Sequence, residues 1–211
     1  MNRIISLLLV MAVIIAGCTS ESTVQLKVMS YNIRNAKGMD NVRNIDRVAQ
    51  VILNAAPDVV AVQELDSMTN RSGNKYILGE LGALVNMHAE FFPAIEFDGG
   101  KYGIGILSKV KPIGVKGYNL PGREEKRAVI VAEYDNYMLA CVHLSLTEED
   151  RMSSLEIVEK IALESKKPFL LAGDMNALAD SPFIEKLKEN FYDGWYEYFV
   201  WGAFCPNTNR R

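Results

Sequence analysis

Two short apolar runs constrain the fold of this chain more than any other feature of its sequence. Residues 58–63 (DVVAVQ) contain four consecutive apolar residues, three of them β-branched, and residues 169–172 (FLLA) are apolar throughout. Strands without polar alternation must be covered on both faces, as in a sheet that lies between other layers. The two runs therefore predict two strands inside the protein.

The segments around these runs alternate between helical and extended patterns. Residues 41–55 place apolar side chains at helical spacing, with Asp40 as the predicted N-cap, and Thr147 with Asp150 resembles a capping box that begins another helix. Further helices are predicted over residues 76–87 and 181–190, and further strands over residues 25–32, 91–95, 103–108, 112–117, 127–134 and 138–142. This order predicts an α/β fold in which two sheets with helices outside form a single domain.

The N-terminus has the order of an export signal. Arg3 precedes an apolar run over residues 4–15, and the small residues at positions 16 and 17 lead to Cys18. This ending resembles a bacterial lipobox, in which the cysteine is acylated. We therefore expect residues 1–18 to be a lipoprotein signal peptide with Cys18 as the lipidation site and residues 19–24 to be a tether. A plain signal peptide or a short anchor helix remains an alternative. The expected location is the cell envelope, after export, with the lipid anchor in a membrane.

Charge and cysteine content exclude two classes of protein. The chain has 23 Lys and Arg residues against 26 Asp and Glu residues, a net charge of −3. A protein that holds nucleic acid through a globally basic surface would carry the opposite balance. Three cysteines are also too few for a disulfide framework.

Polar residues follow several of the predicted strands directly. Asn32 ends the first strand, Glu64 follows residues 58–63, His143 follows residues 138–142, and Asp174 follows residues 169–172. Sheets of α/β proteins place ligands at the carboxyl ends of their strands. A carboxylate there loses hydration unless a cation or hydrogen bonds compensate, so Glu64 and Asp174 are candidates for a divalent-cation site. The alternatives are that Glu64 is an ordinary acid exposed to solvent, that His143 is a structural histidine, and that Asp174 and Asn176 form a simple Asx turn.

These residues also carry a resemblance. The chain contains, in order, Tyr31-Asn32, Gln63-Glu64, Tyr102-Gly103 with Leu107-Ser108, His143-Leu144 and Gly173-Asp174-Met175-Asn176. This series resembles the endonuclease/exonuclease/phosphatase (DNase I-like) superfamily, and residues 37–40 and 71–73 resemble its bacterial metal-dependent hydrolases. The resemblance covers about residues 26–193, and the domain is expected to occupy residues 25–211.

The resemblance implies a two-sheet α/β sandwich that hydrolyses phosphate esters with Mg²⁺ or Mn²⁺. Glu64 would be the main metal ligand with Asn32 nearby. Asp174 and Asn176 would position the attacking water and a phosphate oxygen, and His143 would stabilise charge on the phosphoryl group. Arg127 would contact the phosphate, and Tyr102 would place a hydroxyl in the wall of the pocket. The alternatives are that Arg127 is a surface charge and that Tyr102 is a core or turn aromatic.

One motif of the family is missing from this chain. Its general base is a histidine in a Ser-Asp-His motif, downstream of an Ile-Asp-Tyr strand, and neither His88 nor His143 follows Ser-Asp. The tail, residues 201–211, resembles the segment before that strand. We therefore expect a domain that lacks the last strands, through a frameshift or premature stop, with strongly impaired turnover. A purposely short variant and completion by a second chain are the alternatives.

Two functions follow from this reasoning. The first is a metal-dependent phosphoesterase in the cell envelope, acting on a phosphodiester or phosphomonoester such as a lipid head group, a sugar phosphate or nucleic acid. The second is a catalytically inactive remnant or a non-catalytic lipoprotein that binds phosphate ligands. Metal-dependent turnover of a generic phosphate ester distinguishes them.

Overall fold

The structure, a computed structural model, describes residues 25–194 and the backbone of residues 204–206. The predicted signal peptide, the tether and Cys18 lie outside the described residues, as does most of the tail. The described strands are β1 (Val28–Asn32), β2 (Val59–Ser67), β3 (His88–Phe97), β4 (Gly100–Ser108), β5 (Gly114–Leu120), β6 (Arg127–Glu133), β7 (Met138–His143), β8 (Phe169–Asp174), β9 (Phe191–Asp193) and β10 (Phe204–Pro206). The described α-helices are α1 (Ile45–Ala55), α2 (Ile77–Val85), α3 (Glu148–Glu164) and α4 (Pro182–Leu187).

The first sheet has the strand order β1-β2-β4-β3, with β1 and β2 parallel and the other pairs antiparallel. The four apolar residues at the start of β2 are fully buried, as the sequence predicts. Val60 and Val62 pack under α1 and α2, whereas Val59 and Ala61 face the second sheet. Both faces of β2 are covered, which explains the absence of polar alternation in its sequence.

The second sheet has the strand order β5-β6-β7-β8-β10-β9, in which only β7 and β8 are parallel among the described strands. Helices α3 and α4 cover its outer face through a cluster that includes Leu155, Val158 and Phe183. Between the two sheets lies a layer of small and branched side chains that includes Ile106 and Ile130. This arrangement confirms the predicted two-sheet α/β sandwich. The sequence did not reveal β9 and β10.

One predicted N-cap is wrong, and one predicted capping box does not form, although Thr147 is the N-cap residue of α3 as predicted. The N-cap of α1 is Asn44, whose side-chain oxygen accepts a hydrogen bond from the Arg47 backbone N at 3.0 Å. Asp40 instead forms an ion pair with the Arg47 guanidinium at 2.7 Å. Thr147 precedes α3 without a side-chain capping bond, and Asp150 turns to the loop between β5 and β6. The capping box does not form because Asp150 pairs with Arg123, whose charged guanidinium is a stronger partner than the helix backbone.

The predicted end of the second strand is also wrong. Strand β2 does not stop at Gln63 but continues to Ser67 through a β-bulge, where its register against β4 shifts between Val62 and Leu65. Glu64 lies in this bulge with φ 60°, in the left-handed region. A bulge re-aims a side chain without ending the strand, and the hydrophobic pattern does not show it. No helix within residues 25–194 combines the length and apolar character needed to cross a bilayer.

Candidate active site

A single amide joins the two sheets at the predicted site. Asn32, at the end of β1, donates from Nδ2 to Glu64 Oε1 at 2.9 Å and to Asp174 Oδ2 at 3.0 Å. Its Oδ1 accepts from the Arg34 backbone N at 3.0 Å, which fixes the orientation of the amide. Glu64 belongs to the first sheet and Asp174 to the second. Three of the predicted site residues therefore meet across the interface between the sheets.

The second sheet places His143 next to Asp174 through the register of two parallel strands. The two residues are directly paired at the carboxyl ends of β7 and β8, and His143 Nε2 lies 3.9 Å from Asp174 Oδ2. Gly173 permits this close pairing, because a Cβ at this position would lie 2.1 Å from the Val142 carbonyl oxygen. Register alone therefore brings an imidazole and a carboxylate together at this edge.

Asn176 forms the turn that follows Asp174. It has φ 47°, its backbone N donates to Asp174 Oδ1 at 3.0 Å, and its Nδ2 donates to the Leu144 carbonyl oxygen at 2.8 Å. This is an Asx turn, as one alternative held, and it also ties the loop after β8 to the loop after β7. The turn holds one oxygen of Asp174 in place and leaves Asn176 Oδ1 without a hydrogen-bond partner among the described residues.

Arg127 is buried beside His143 at the start of β6 and is not a surface charge. Its side chain is 8% exposed, and Nη1 lies 3.4 Å and 3.5 Å from the two ring nitrogens of His143. Two acids neutralise it, since Nη2 donates to Glu124 Oε1 at 3.3 Å and Nη1 forms an ion pair with Glu125 at 3.3 Å. The guanidinium therefore lies buried in the site next to the imidazole.

Tyr102 forms the opposite wall. Its ring packs against Phe97, and the Arg71 guanidinium lies over both rings, 4.3 Å from the centroid of Phe97 and 5.4 Å from that of Tyr102. Arg71 itself is held by two hydrogen bonds of 2.6 Å and 2.7 Å to the buried Asp66. Burial, followed by the nearby Glu64 carboxylate, raises the pKa of Tyr102. Its phenol therefore stays protonated and can serve only as a neutral hydrogen-bonding group.

The electrostatics of the site favour a neutral imidazole. Burial lowers the pKa of His143, the adjacent Arg127 lowers it further, and the carboxylates of Asp174 and Glu64 oppose this. A neutral ring presents one N–H and one lone pair. His143 is thus ready to donate one hydrogen bond to an oxyanion without carrying a full charge of its own.

Two structural residues of the site, Asp66 and Glu124, were missed from the sequence. Asp66 lies beyond the predicted end of β2, so the ion pair with Arg71 gave no signal. Glu124 stood in a run of charged residues that looked like a solvated loop, yet it receives hydrogen bonds from Ser145 Oγ at 2.7 Å and 2.8 Å. A charge run does not indicate which of its members turns inward.

The donor set at Glu64 fits a divalent cation. Glu64 Oε2 has no hydrogen-bond partner among the described residues, and Mg²⁺ commonly takes only one or two carboxylates and keeps several waters. Within residues 25–194 no group of three or more His, Cys, Asp or Glu side chains is arranged as a metal site. Asn32 turns its amide nitrogen to Glu64, so ligation through its oxygen would require the amide to rotate by half a turn.

Solved structures with this fold share its architecture at low sequence identity. One is an endonuclease/exonuclease/phosphatase from Beutenbergia cavernae (21% identity, TM-score 0.64), for which the match covers 81% of this chain and 55% of that one. Another is a mannosyl-6-phosphatase of Bacteroides thetaiotaomicron (15% identity, TM-score 0.65, 87% and 86% covered). A third is the human Nocturnin catalytic domain with bound sulfate (16% identity, TM-score 0.64, 86% and 82% covered). This chain therefore spans about half the length of the first of these proteins.

The sequence as a whole gives the more specific comparison. No curated protein sequence matches the chain. A family model, described as the Endonuclease/Exonuclease/phosphatase family, matches residues 29–211, which include every predicted site residue of the domain. This family acts on phosphate esters and is generally dependent on a divalent metal ion. By this match, the chain belongs to the endonuclease/exonuclease/phosphatase family.

Proposed function

We propose that this protein is a phosphoesterase that uses Mg²⁺ or Mn²⁺ to hydrolyse a phosphodiester or phosphomonoester in the cell envelope. The observation that carries the proposal is the Asn32 amide, which holds Glu64 and Asp174 together from two different sheets. Two carboxylates forced into proximity at a partly buried position repel each other, and a fold keeps such a pair where a cation or a reacting group uses it. Family membership supports the same class of reaction.

Each predicted residue has a role that its position supports. Glu64, with Asn32 beside it, would hold the divalent ion, which supplies positive charge for the phosphoryl oxygens. Asp174 accepts a hydrogen bond from the attacking water, and Asn176 keeps that carboxylate oriented through the Asx turn. His143 donates its N–H to a phosphoryl oxygen as negative charge develops there.

Two further residues would bind the substrate. Arg127 contacts the phosphate with its guanidinium, and Tyr102 offers a neutral hydroxyl from the opposite wall. Of the two histidines of the chain, only His143 lies among these side chains. His88 begins β3 in the first sheet, where it pairs with Ser108 at the level of Val59, away from Glu64. Proton removal from the attacking water therefore falls to Asp174 or to solvent.

The sequence motif at Cys18 supports an envelope location. Acylation of Cys18 would attach the protein to a membrane through lipid chains, at roughly 0.8 kcal/mol for each buried methylene group. The acidic balance of the chain makes a small phosphate ester or a lipid head group a better substrate than nucleic acid.

The test is hydrolysis by the full chain in detergent. Bis(p-nitrophenyl) phosphate and p-nitrophenyl phosphate serve as generic diester and monoester substrates, with Mg²⁺, with Mn²⁺ and with EDTA. We expect turnover of at least one ester only with metal, and a loss of roughly 100-fold or more in Glu64→Gln, because this change removes the ligand charge. Asp58→Asn is the matched control, since Asp58 lies just before β2, away from the site, where it pairs with Lys109.

Metal-independent hydrolysis, or full activity in Glu64→Gln, would contradict the proposal. A folded protein without turnover that still binds phosphate would instead support the non-catalytic phosphate-binding alternative.

A further inference from the structure

The two acidic neighbours of Arg127 differ in how they are held. We propose that Glu124 fixes Arg127 in the site, whereas Glu125 occupies the phosphate position on Arg127 in the free protein and gives way when a phosphoryl group binds. This inference rests on the proposed function, because it assigns to Arg127 the role of phosphate contact.

Glu124 is anchored by many donors. Its two oxygens accept hydrogen bonds from Ser145 Oγ at 2.7 Å and 2.8 Å, from the Leu146 backbone N at 2.7 Å, from Thr147 Oγ1 at 3.4 Å and from Arg127 Nη2 at 3.3 Å. Burial alone would raise the pKa of Glu124, but the bonds from Ser145 and Leu146, with that from Arg127, lower it to about 2. This carboxylate therefore stays charged and in place, and connects the loop before β6 to the loop after His143.

Glu125 has a single partner. Its carboxylate forms only the 3.3 Å ion pair with Arg127 Nη1, without a hydrogen bond, and its side chain is 32% exposed. No other polar contact of this side chain is found among the described residues. Glu125 also lines a small cleft between the sheets together with Tyr102, Arg127 and His143. It therefore places a carboxylate among the side chains predicted to bind the phosphate.

Arg127 lines this cleft and has one buried hydrogen-bond donor that is not used. Its side chain is more than nine-tenths buried, yet Nε has no hydrogen-bond partner among the described residues. A guanidinium that faces an oxyanion can donate from two nitrogens at once. The Nε–H points to the side of Nη2, so an anion on Nη1 does not reach it. A phosphoryl group that replaces the Glu125 carboxylate could instead accept hydrogen bonds from Nη1 and from the Tyr102 hydroxyl and the His143 N–H that line the same cleft, whereas the Glu125 carboxylate makes no hydrogen bond there. The exchange therefore favours the phosphoryl group in hydrogen bonds.

Opposite effects on phosphate binding follow from the two roles. Removing the Glu125 charge deletes a competitor for Arg127 and a like charge next to the incoming anion, so phosphate should bind more tightly. Removing the Glu124 charge frees Arg127 and the loop after His143 to move, so phosphate should bind more weakly. A purely electrostatic effect of one lost negative charge would change binding in the same direction in both variants.

The experiment is calorimetric titration of the full chain in detergent with inorganic phosphate. In Glu125→Gln we expect an affinity about 5- to 10-fold higher than in the unmodified protein, and in Glu124→Gln an affinity about 10-fold lower. Glu148→Gln is the matched control, since it removes the same charge from an arginine ion pair outside the cleft, with Arg151. Its affinity should change less than about 2-fold.

A second comparison shows whether Glu125 acts through Arg127. In an Arg127→Gln background, Glu125→Gln should no longer raise phosphate affinity. Unchanged or weaker phosphate binding in Glu125→Gln, or an increase that persists without Arg127, would overturn the inference. Failure of the proposed function is distinguishable, because it appears as absent ester hydrolysis while these differences in phosphate affinity remain.

Discussion

The two sheets bring their acidic side chains to the site by different means. The second sheet uses parallel register, which pairs His143 with Asp174 at the ends of β7 and β8 with no shift along the two strands. The first sheet uses a bulge, where Glu64 turns out of β2 with φ 60° while the strand continues beyond it. Register places a residue at little cost, whereas a bulge with a non-glycine residue at positive φ stores strain. The comparison teaches that the first sheet is less stable to unfolding because the bulge is needed to position one carboxylate.

The largest expected effect tests the register of the second sheet. Gly173→Ala adds a Cβ that would lie 2.1 Å from the Val142 carbonyl oxygen, so the β7–β8 pairing must open. We expect the free energy of unfolding to fall by about 3 kcal/mol, measured by urea denaturation. Gly114→Ala is the control, because nothing lies within 4 Å of its Cβ. Equal stabilities of the two variants would contradict the importance of this register.

The next effect tests the connection between the sheets. Asn32→Leu keeps a similar shape but removes the donor that Glu64 Oε1 and Asp174 Oδ2 share. The loss of this donor from two partly buried carboxylate oxygens should lower the free energy of unfolding by about 2 kcal/mol in metal-free protein. Asn54→Leu on the exposed face of α1 is the control. An unchanged unfolding midpoint in Asn32→Leu would mean that solvent already satisfies both carboxylates.

A smaller effect of the opposite sign tests the strain at the bulge. Asparagine tolerates the left-handed region better than glutamate, so Glu64→Asn should raise the free energy of unfolding by about 1 kcal/mol while it abolishes turnover. Glu90→Asn, on β3 without a positive φ, should give no gain. A loss of stability in Glu64→Asn would show that the bulge is unstrained.

The smallest effect concerns the protonation of His143. Because burial and Arg127 lower its pKa, the unfolded chain binds a proton more readily, and stability should fall as pH decreases below the ordinary histidine range. An NMR titration of the ring proton, assigned with His88→Gln, should give a midpoint below about 6.5. Arg127→Gln should move that midpoint upward. A midpoint above the ordinary value would mean that Asp174 and Glu64 dominate.

Much of the second sheet's contribution could be predicted from sequence. The apolar run of β8 ends at Gly173-Asp174, and that of β7 ends at His143, so strand ends located both side chains. The family resemblance added their roles. The length of a buried strand can be read from its continuous apolar residues, and parallel neighbours end at the same edge of the sheet.

The first sheet shows where such reasoning stops. Glu64 was identified as a site residue, but it was placed at a strand end because a bulge leaves no mark on the hydrophobic pattern. Asp66 and Glu124 were missed for a related reason, since burial of a charged residue depends on partners that are distant in sequence. Asp66 is held by Arg71, and Glu124 by Ser145, through contacts that exist only in the folded chain.

The central claim is that Glu64 and Asp174 form one site, and Mn²⁺ binding in a double-mutant cycle tests it most directly. Electron paramagnetic resonance of free Mn²⁺ gives the affinity of the full chain, of Glu64→Gln, of Asp174→Asn and of the double variant. We predict that Glu64→Gln weakens binding by about 100-fold, that Asp174→Asn weakens it by about 10-fold, and that the double variant is no weaker than Glu64→Gln. Unchanged Mn²⁺ affinity in Glu64→Gln, or fully additive losses in the double variant, would contradict a shared site.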